Sequence, residues 1–336
     1  MHIPDGYLSP QTCGAFGAAM VPVWTGAARR VRRVVRSRFV PLIAVGAAYC
    51  FLVMMFNVPI PDGTTAHAVG AVLVAVLLGP WAAVIAVSIA LGIQALFFGD
   101  GGVLAFGVNC FNMAFVMPLV GYAVYRVSAG RVALTAPRRA VAAGIGGYVG
   151  LNAAALCAAI EFGVQPSLFH RADGTPLYAP FHLAQTIPAM ALAHLTVAGA
   201  VELALTAGVI AYLQRANLPL LRINHRGIPD TDDGSAPTRT ARRARGIAIG
   251  IAVMVVLTPL GLLAPGRAFG EAPRGGLWRH ALLDGYGFGG GRDHVVGYVV
   301  SAAVGVVLIG AVVLATVALV RAGERRRVRA GEGARA

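Results

Sequence analysis

The sequence predicts an all-α fold, a polytopic membrane bundle of about seven helices followed by a C-terminal two-helix transmembrane hairpin. Three observations predict it. Hydrophobic residues fill 57% of the 336 positions and charged residues only 12%, with a mean hydropathy of +0.71, which excludes an ordinary soluble globule. The apolar residues gather in runs near the roughly 20 residues needed to cross a bilayer at about 1.5 Å per residue. Between those runs the basic residues cluster on one predicted side of the membrane.

The runs fall near 10–27, 39–57, 67–79, 80–98, 104–126, 140–162, 185–213, 246–264 and 296–320. The third is short. Gly79-Pro80 separates it from the fourth, so it reads as a half-helix or the arm of a tilted hairpin. Nine spans with the N-terminus outside place "RRVRRVVRSR", the loop from Arg126 to Arg139, the segment 215–245 and the C-terminal tail in the cytoplasm. That assignment puts 23 of the 28 arginines inside and leaves only Arg171, Arg267, Arg274, Arg279 and Arg292 outside, as the positive-inside rule requires. The net charge of +14 is therefore topological. It calls for no nucleic acid, and it suits an anionic inner leaflet of membrane lipid.

Residues 1–217 read as a membrane core, 218–245 as a cytoplasmic linker rich in Pro, Gly, Asp and Arg, and 246–336 as a two-helix unit with an external loop and a basic tail. Small residues at helical spacing, Gly14 with Ala18, Ala15 with Ala19 and Gly146 with Gly150, allow helices to approach closely. In a chain this rich in Ala and Gly, most such pairs are ordinary packing.

Several function classes drop out. The chain has no lysine, so it carries no G-x-x-x-x-G-K-[ST] loop, and any ATP-derived energy must come from partner subunits. H-E-x-x-H and G-x-S-x-G are also missing, which argues against a membrane hydrolase or any other enzyme. Cys13, Cys50, Cys110 and Cys157 lie singly in apolar runs and read as packing residues.

The chain opens "MHIPDGYLSP", without the basic stretch and cleavage site of a secretory leader, and this start is expected to be retained. A free α-amine, the next amide nitrogen and the Nδ1 of a histidine in second position can close two fused chelate rings around one ion. Tetragonal nitrogen donors of this kind favour Ni(II) or Cu(II) over Zn(II), Mg(II) or Ca(II). Pro4-Asp5-Gly6 favours an immediate turn, which leaves Met1 and His2 to face a ligand. His67, at the end of "NVPIPDGTTAH" on the same predicted side, offers a fourth nitrogen, and Thr64 and Thr65 before it can fix its turn through side-chain hydrogen bonds. Each histidine alone is read equally well as incidental. The two together on one membrane face make the chelating reading competitive.

"MHIPDGYLSP", "TTAHAVG", "LFFGDGGVLAFGVNCFNMAFVMP" and "AHLTVAGAVELALTAGV" together resemble the substrate-binding membrane component of cobalt/nickel energy-coupling factor transporters, the CbiM/NikM family. The resemblance runs from residue 1 to about 215. "TPLGLLAPGRAFGE" and "LLDGYGFGGGRDHVVGYVVSAAVGV" resemble the C-terminal hairpin that some members carry fused, akin to CbiN/NikN or a PDGLE-type relative. The resemblance implies that Met1, His2 and His67 hold the metal, with Asn109 and Asn112 as supporting residues. It implies no resident cofactor, Ni(II) or Co(II) as the transported ion, and as partners a transmembrane coupling component and two ATP-binding subunits. In the family the loop before the second histidine usually reads closer to P-G-G-T-S-G-H. Here it is Pro61-Asp62-Gly63-Thr64-Thr65-Ala66-His67.

His194 and Glu202, eight residues apart, are about 80° apart on an α-helix and are expected to form a polar network inside the membrane or to serve transport. Asp100 reads as a capping or turn residue in an outer loop. His170, His182, His280 and His294, also predicted outside, read as incidental. A stand-alone secondary transporter or channel for divalent transition metals remains the alternative function.

Overall fold

The computed structural model describes residues 1–34, 40–60, 65–225, 228, 240–263, 281–283, 286 and 294–333. It is a bundle of helices with one two-residue ladder. After an irregular strap, Met1–Ser9, the chain forms α1 (Pro10–Val34), α2 (Val40–Met54), β1 (Val58–Pro59), β2 (Thr65–Ala66), α3 (Ala71–Leu78) and α4 (Pro80–Phe98). Next come α5 (Phe106–Asn109), a π-helical turn (Cys110–Val116) and α6 (Met117–Ala129) as one rod, then α7 (Pro137–Gly163) and α8 (Gln165–Leu168). A second broken rod holds α9 (Leu183–Ala193), a π turn (His194–Ala198) and α10 (Gly199–Ala216). α11 (Leu218–Arg222), α12 (Thr240–Leu257) with a 3-10 extension (Thr258–Leu263), and α13 (His294–Gly333) complete the described chain. β1 and β2 pair antiparallel, Val58 with Ala66 and Pro59 with Thr65.

Among the described residues, five helical segments are long and apolar enough to cross a membrane: 80–98, 106–129, 137–168, 183–216 and 295–316. α2 and residues 246–260 are apolar but shorter, and α1 ends in the basic run. The protein is thus a multi-pass membrane protein built from helices.

Two of the expected spans differ from the structure in ways that shape the site. The run at 67–79 is helical only from Ala71. Gly70 takes the left-handed conformation, φ 75°, and the amides of Val69 and Gly70 donate to the Glu202 carboxylate at 2.8 and 2.9 Å, so residues 67–70 stay outside the helix. α3 ends at Gly79, φ 93°, and Pro80 opens α4, so the half-helix expected from Gly79-Pro80 is present. Its last carbonyls are taken by Asn224 Nδ2, 3.2 Å from both Ala75 O and Val76 O. That asparagine follows α11, whose Leu218 and Leu221 are buried.

The other difference is the run at 185–213, which is not a continuous α-helix. Its π turn, bonded i→i+5, changes the angular step between His194 and Glu202, and the two residues find separate partners. The expected network between them is corrected by that geometry.

Among the small-residue pairs only Gly146 and Gly150 sit in a tight contact. A Cβ at Gly150 would lie 2.6 Å from Met117 O and one at Gly146 2.5 Å from Gly121 O, so α6 and α7 touch backbone to backbone. Gly14 has open space around it, and Ala15, Ala18 and Ala19 are exposed. All four cysteines are free, three of them fully buried. The C-terminal unit packs on the core: α13 lies on α2 and α4, with Tyr298 OH donating to Met55 O at 3.1 Å.

Candidate metal centre

The strap at the start of the chain is pulled into the bundle and held at every turn. Ile3 pairs with Asn109 through both backbone groups: Ile3 N donates to Asn109 Oδ1 at 2.8 Å and Asn109 Nδ2 donates to Ile3 O at 3.0 Å. Gly102 N donates to the same carbonyl at 2.9 Å. Asp5, in the turn closed by Gly6 at φ 89°, accepts from Ala105 N at 3.1 Å. A side chain at Gly102 would collide with Asp5, which is why the 99–102 loop can lie so close. Ser9 N donates to Gln165 Oε1 at 3.0 Å, and Ser9 Oγ caps α1 by accepting from Thr12 N at 3.0 Å.

These clamps leave Met1 and His2 inside the protein, 0% and 2% exposed. The Met1 amine donates to the carbonyl of Thr65, lies 3.0 Å from Thr65 Oγ1 and faces His67 Nε2 at 3.1 Å. The His2 and His67 rings stack with centroids 4.7 Å apart. Nitrogens each about 2.0 Å from one ion and at right angles are about 2.8 Å apart, so amine and imidazole stand near the spacing of neighbouring ligands.

Hydrogen bonds also decide which ring nitrogens carry lone pairs. His67 Nδ1 lies 3.0 Å from Ala68 O; a carbonyl only accepts, so the proton is on Nδ1 and Nε2 is free to bind. For His2 the assignment runs through four groups. The Asp100 carboxylate accepts from Tyr286 OH at 2.6 Å, so the tyrosine oxygen accepts from Gln94 Nε2 at 3.0 Å. Gln94 Oε1 then faces His2 Nε2 at 3.2 Å and takes its proton. His2 Nδ1, the atom a terminal chelate uses, is left as a buried acceptor with no hydrogen-bond partner, 3.5 Å from Asp100 Oδ1. An orphaned buried polar atom costs about 1–3 kcal/mol. A lone pair facing a carboxylate with no donor between them is a place for a cation.

Among the described residues no three His, Cys, Asp or Glu side chains gather into a metal-holding cluster. The chain start adds two backbone nitrogens, the Met1 amine and the His2 amide, that a search of side chains leaves out. The model of the cobalt uptake substrate-specific transmembrane region, CbiM, matches residues 2–220. The chain belongs to the CbiM family. It is 54% identical over 271 residues to the fused nickel transport protein NikMN of Rhodobacter capsulatus, covering 81% of this chain and 75% of that one. To the probable fused nickel transport protein LarMN of Lactiplantibacillus plantarum it is 48% identical, covering 81% and 77%. The crystal structure of a transition metal transporter superposes with a TM-score of 0.63 at 56% identity, covering 68% of this chain and all of that one.

Within this CbiM framework, the residues singled out from sequence divide. The structure brings Met1, His2, Thr65 and His67 together and sets Asn109 against the strap. Thr65 turns its carbonyl and hydroxyl toward the Met1 amine, and His67 Nδ1 is held by Ala68 O. Thr64 lies outside the described residues. Asn112 does not touch the strap; it donates to Glu161 Oε2 at 2.6 Å, and Gln165, which grips Ser9, donates back to Glu161 O at 2.9 Å. Glu202 holds the loop after His67, with Thr206 Oγ1 donating to it at 3.2 Å, while His194 bonds Met190 O at 2.8 Å.

Asp100 is more than the cap or turn residue expected. Its amide does end α4 by donating to Gln94 O at 3.1 Å, but its carboxylate lies beside His2. His170 and His182 are exposed, and His182 caps α9. His280 lies outside the described residues, as does the side chain of His294. Gln94 and Tyr286 were missed. A lone amide in the apolar run 80–98 was a signal for Gln94; nothing local marked Tyr286.

Burial pulls the Met1 amine down from 8.0 to about 4, against an opposing pull from Asp100. It also lowers His2 and puts His67 well below the usual histidine range, where the amine and His2 push the same way. The binding form of each group is the neutral one, so these shifts postpone proton competition from below pH 8.0 to near pH 4 for the amine. Over about pH 6 to 7.5, metal capture with amide ionisation should therefore release about one proton per ion, read from the pH dependence of affinity. Release of two would mean an amine of ordinary basicity. Tyr286→Phe keeps the ring stacked on Phe98 (5.1 Å) but breaks the chain that sets the His2 tautomer. Metal affinity is expected to fall roughly tenfold with little change in melting temperature, measured by titration of the purified chain; wild-type affinity would refute the relay.

Proposed function

We propose that this chain is the substrate-specific membrane subunit of an energy-coupling factor importer, capturing Ni(II) or Co(II) from outside and passing the ion inward. The observation that carries this reading is the pairing of the Met1 amine with His67 Nε2 at 3.1 Å while His2 Nδ1 is buried and unpaired. Amine, amide and Nδ1 close the chelate on three sides of a plane, and the open fourth side is the one next to the amine, where His67 stands. Charge favours the same cargo. A divalent ion, one ionised amide and the Asp100 carboxylate sum to zero, which suits so buried a site. The nickel transport relatives and the cobalt uptake family fit nickel and cobalt alike.

In this reading residues 1–217 are the metal-binding core, 218–245 the cytoplasmic linker and 246–336 the fused two-helix unit. The arginine asymmetry supports an outward N-terminus and a cytoplasmic C-terminus. The family resemblance implies that energy comes from two ATP-binding partners through a transmembrane coupling component, in keeping with a chain that has no lysine and so no P-loop of its own.

Leaving the Met1 amine formylated turns it into an amide, which removes the amine donor and crowds the pocket at Thr65. Nickel binding is expected to weaken by more than roughly 100-fold, beyond the usual effect of losing a supporting hydrogen bond, whereas a C-terminal tag leaves it unchanged. Metal analysis of the purified forms checks this; equal nickel content in all of them would contradict the site.

A further inference from the structure

One buried histidine stands next to this site without belonging to it. His194 is 0% exposed. Its Nδ1 lies 2.8 Å from Met190 O, a group that only accepts, so the proton is on Nδ1 and the lone pair on Nε2. Among the described residues that Nε2 has no hydrogen-bond partner. The π turn that His194 opens packs against β2, the strand whose Thr65 faces the Met1 amine.

The local fold keeps the turn in place. Tyr148 OH donates to Leu195 O at 2.8 Å, satisfying a carbonyl of the π turn, and a side chain at Gly199 would collide with the Tyr148 ring at 2.7 Å. π turns inside helices are frequently found at functional positions. This one presents an unused nitrogen about 16 Å along a rod that begins at the predicted outer surface, from Leu183 at about 1.5 Å per residue.

We propose that His194 Nε2 is a transfer ligand, the nitrogen that takes over from His67 when the ion starts to leave the planar site. The inference rests on the four-nitrogen reading above. An ion in a plane of four nitrogens is open along its axis, and an incoming donor on that axis enters before an old bond is lost. The Nε2–metal bond forms, the bond to His67 breaks, and the terminal chelate stays intact. No electron changes hands and no proton moves, because both imidazoles bind through nitrogens that already carry lone pairs.

The test compares His194→Ala, His194→Gln and His2→Ala in the full chain. Nickel stoichiometry is measured at equilibrium, nickel release into excess EDTA by stopped flow, and uptake in the assembled complex. Both His194 variants should keep wild-type stoichiometry, release nickel roughly tenfold or more slowly, and lose uptake to a similar degree. Wild-type release and uptake would overturn the proposal. So would a loss of equilibrium binding as deep as that of His2→Ala, which would make His194 a ligand of the resting site. If His2→Ala keeps its nickel, the four-nitrogen reading fails whatever His194 does. Copper-catalysed oxidation of the wild-type chain, read by peptide mass spectrometry, needs no variant. Modification of His194 alongside His2 and His67 supports the proposal, and an unmodified His194 beside an oxidised His67 refutes it.

Discussion

A primary amine inside an apolar helix bundle is unfavourable unless its hydrogens and its lone pair are all taken up, and the surrounding structure is arranged to force that amine inside. Asn109 and Gly102 hold Ile3, the Ala105 amide holds Asp5, and Gln165 holds Ser9. With the strap fixed at these points, Met1 has nowhere to go but the pocket formed by Thr65 and His67. That pocket exists because Glu202 pins the amides of Val69 and Gly70 and so delays the start of α3. The half-helix is short because its first residues have been given over to positioning an imidazole.

The same constraint explains the polar groups on the other side of His2. Gln94 and Asp100 come from the end of α4, whereas Tyr286 comes from the C-terminal unit and is buried against Phe98 and Phe51. It is also the one described residue other than glycine with a positive φ, 61°. Its hydroxyl donates to one group and accepts from another, and that polarity fixes the proton on the far nitrogen of His2. A segment nearly three hundred residues away in sequence thereby reaches the chemistry of residue 2. This contact gives the C-terminal segment a physical link to the candidate site.

Much of the fold was legible because a bilayer imposes a simple ruler. Run length and arginine placement mark the helices, and Gly79-Pro80 marks the break. The meeting of positions 1, 2 and 67 was legible for other reasons: a terminal amine followed by histidine can close a chelate by covalent spacing, and His67 ends a loop on the same predicted side. What periodicity hid was departure from the α-helix. The π turn at His194–Ala198 defeats an angle computed at α-helical spacing, and the non-helical stretch 67–70 depends on the Glu202 carboxylate, 132 residues beyond Gly70. Asp100 looked like a loop residue because its neighbours are glycines; its role follows from where the strap lies, and no local pattern records that. Tyr286 sits in a glycine-rich stretch that gives no hint of a buried hydroxyl.

X-ray absorption at the nickel edge, on the full chain with an unmodified N-terminus, tests the four-nitrogen plane most directly. Expected are a single short shell of about four nitrogen neighbours, the edge feature of a planar ion and imidazole scattering from two rings. A six-coordinate shell dominated by oxygen, or any sulfur neighbour, would contradict it.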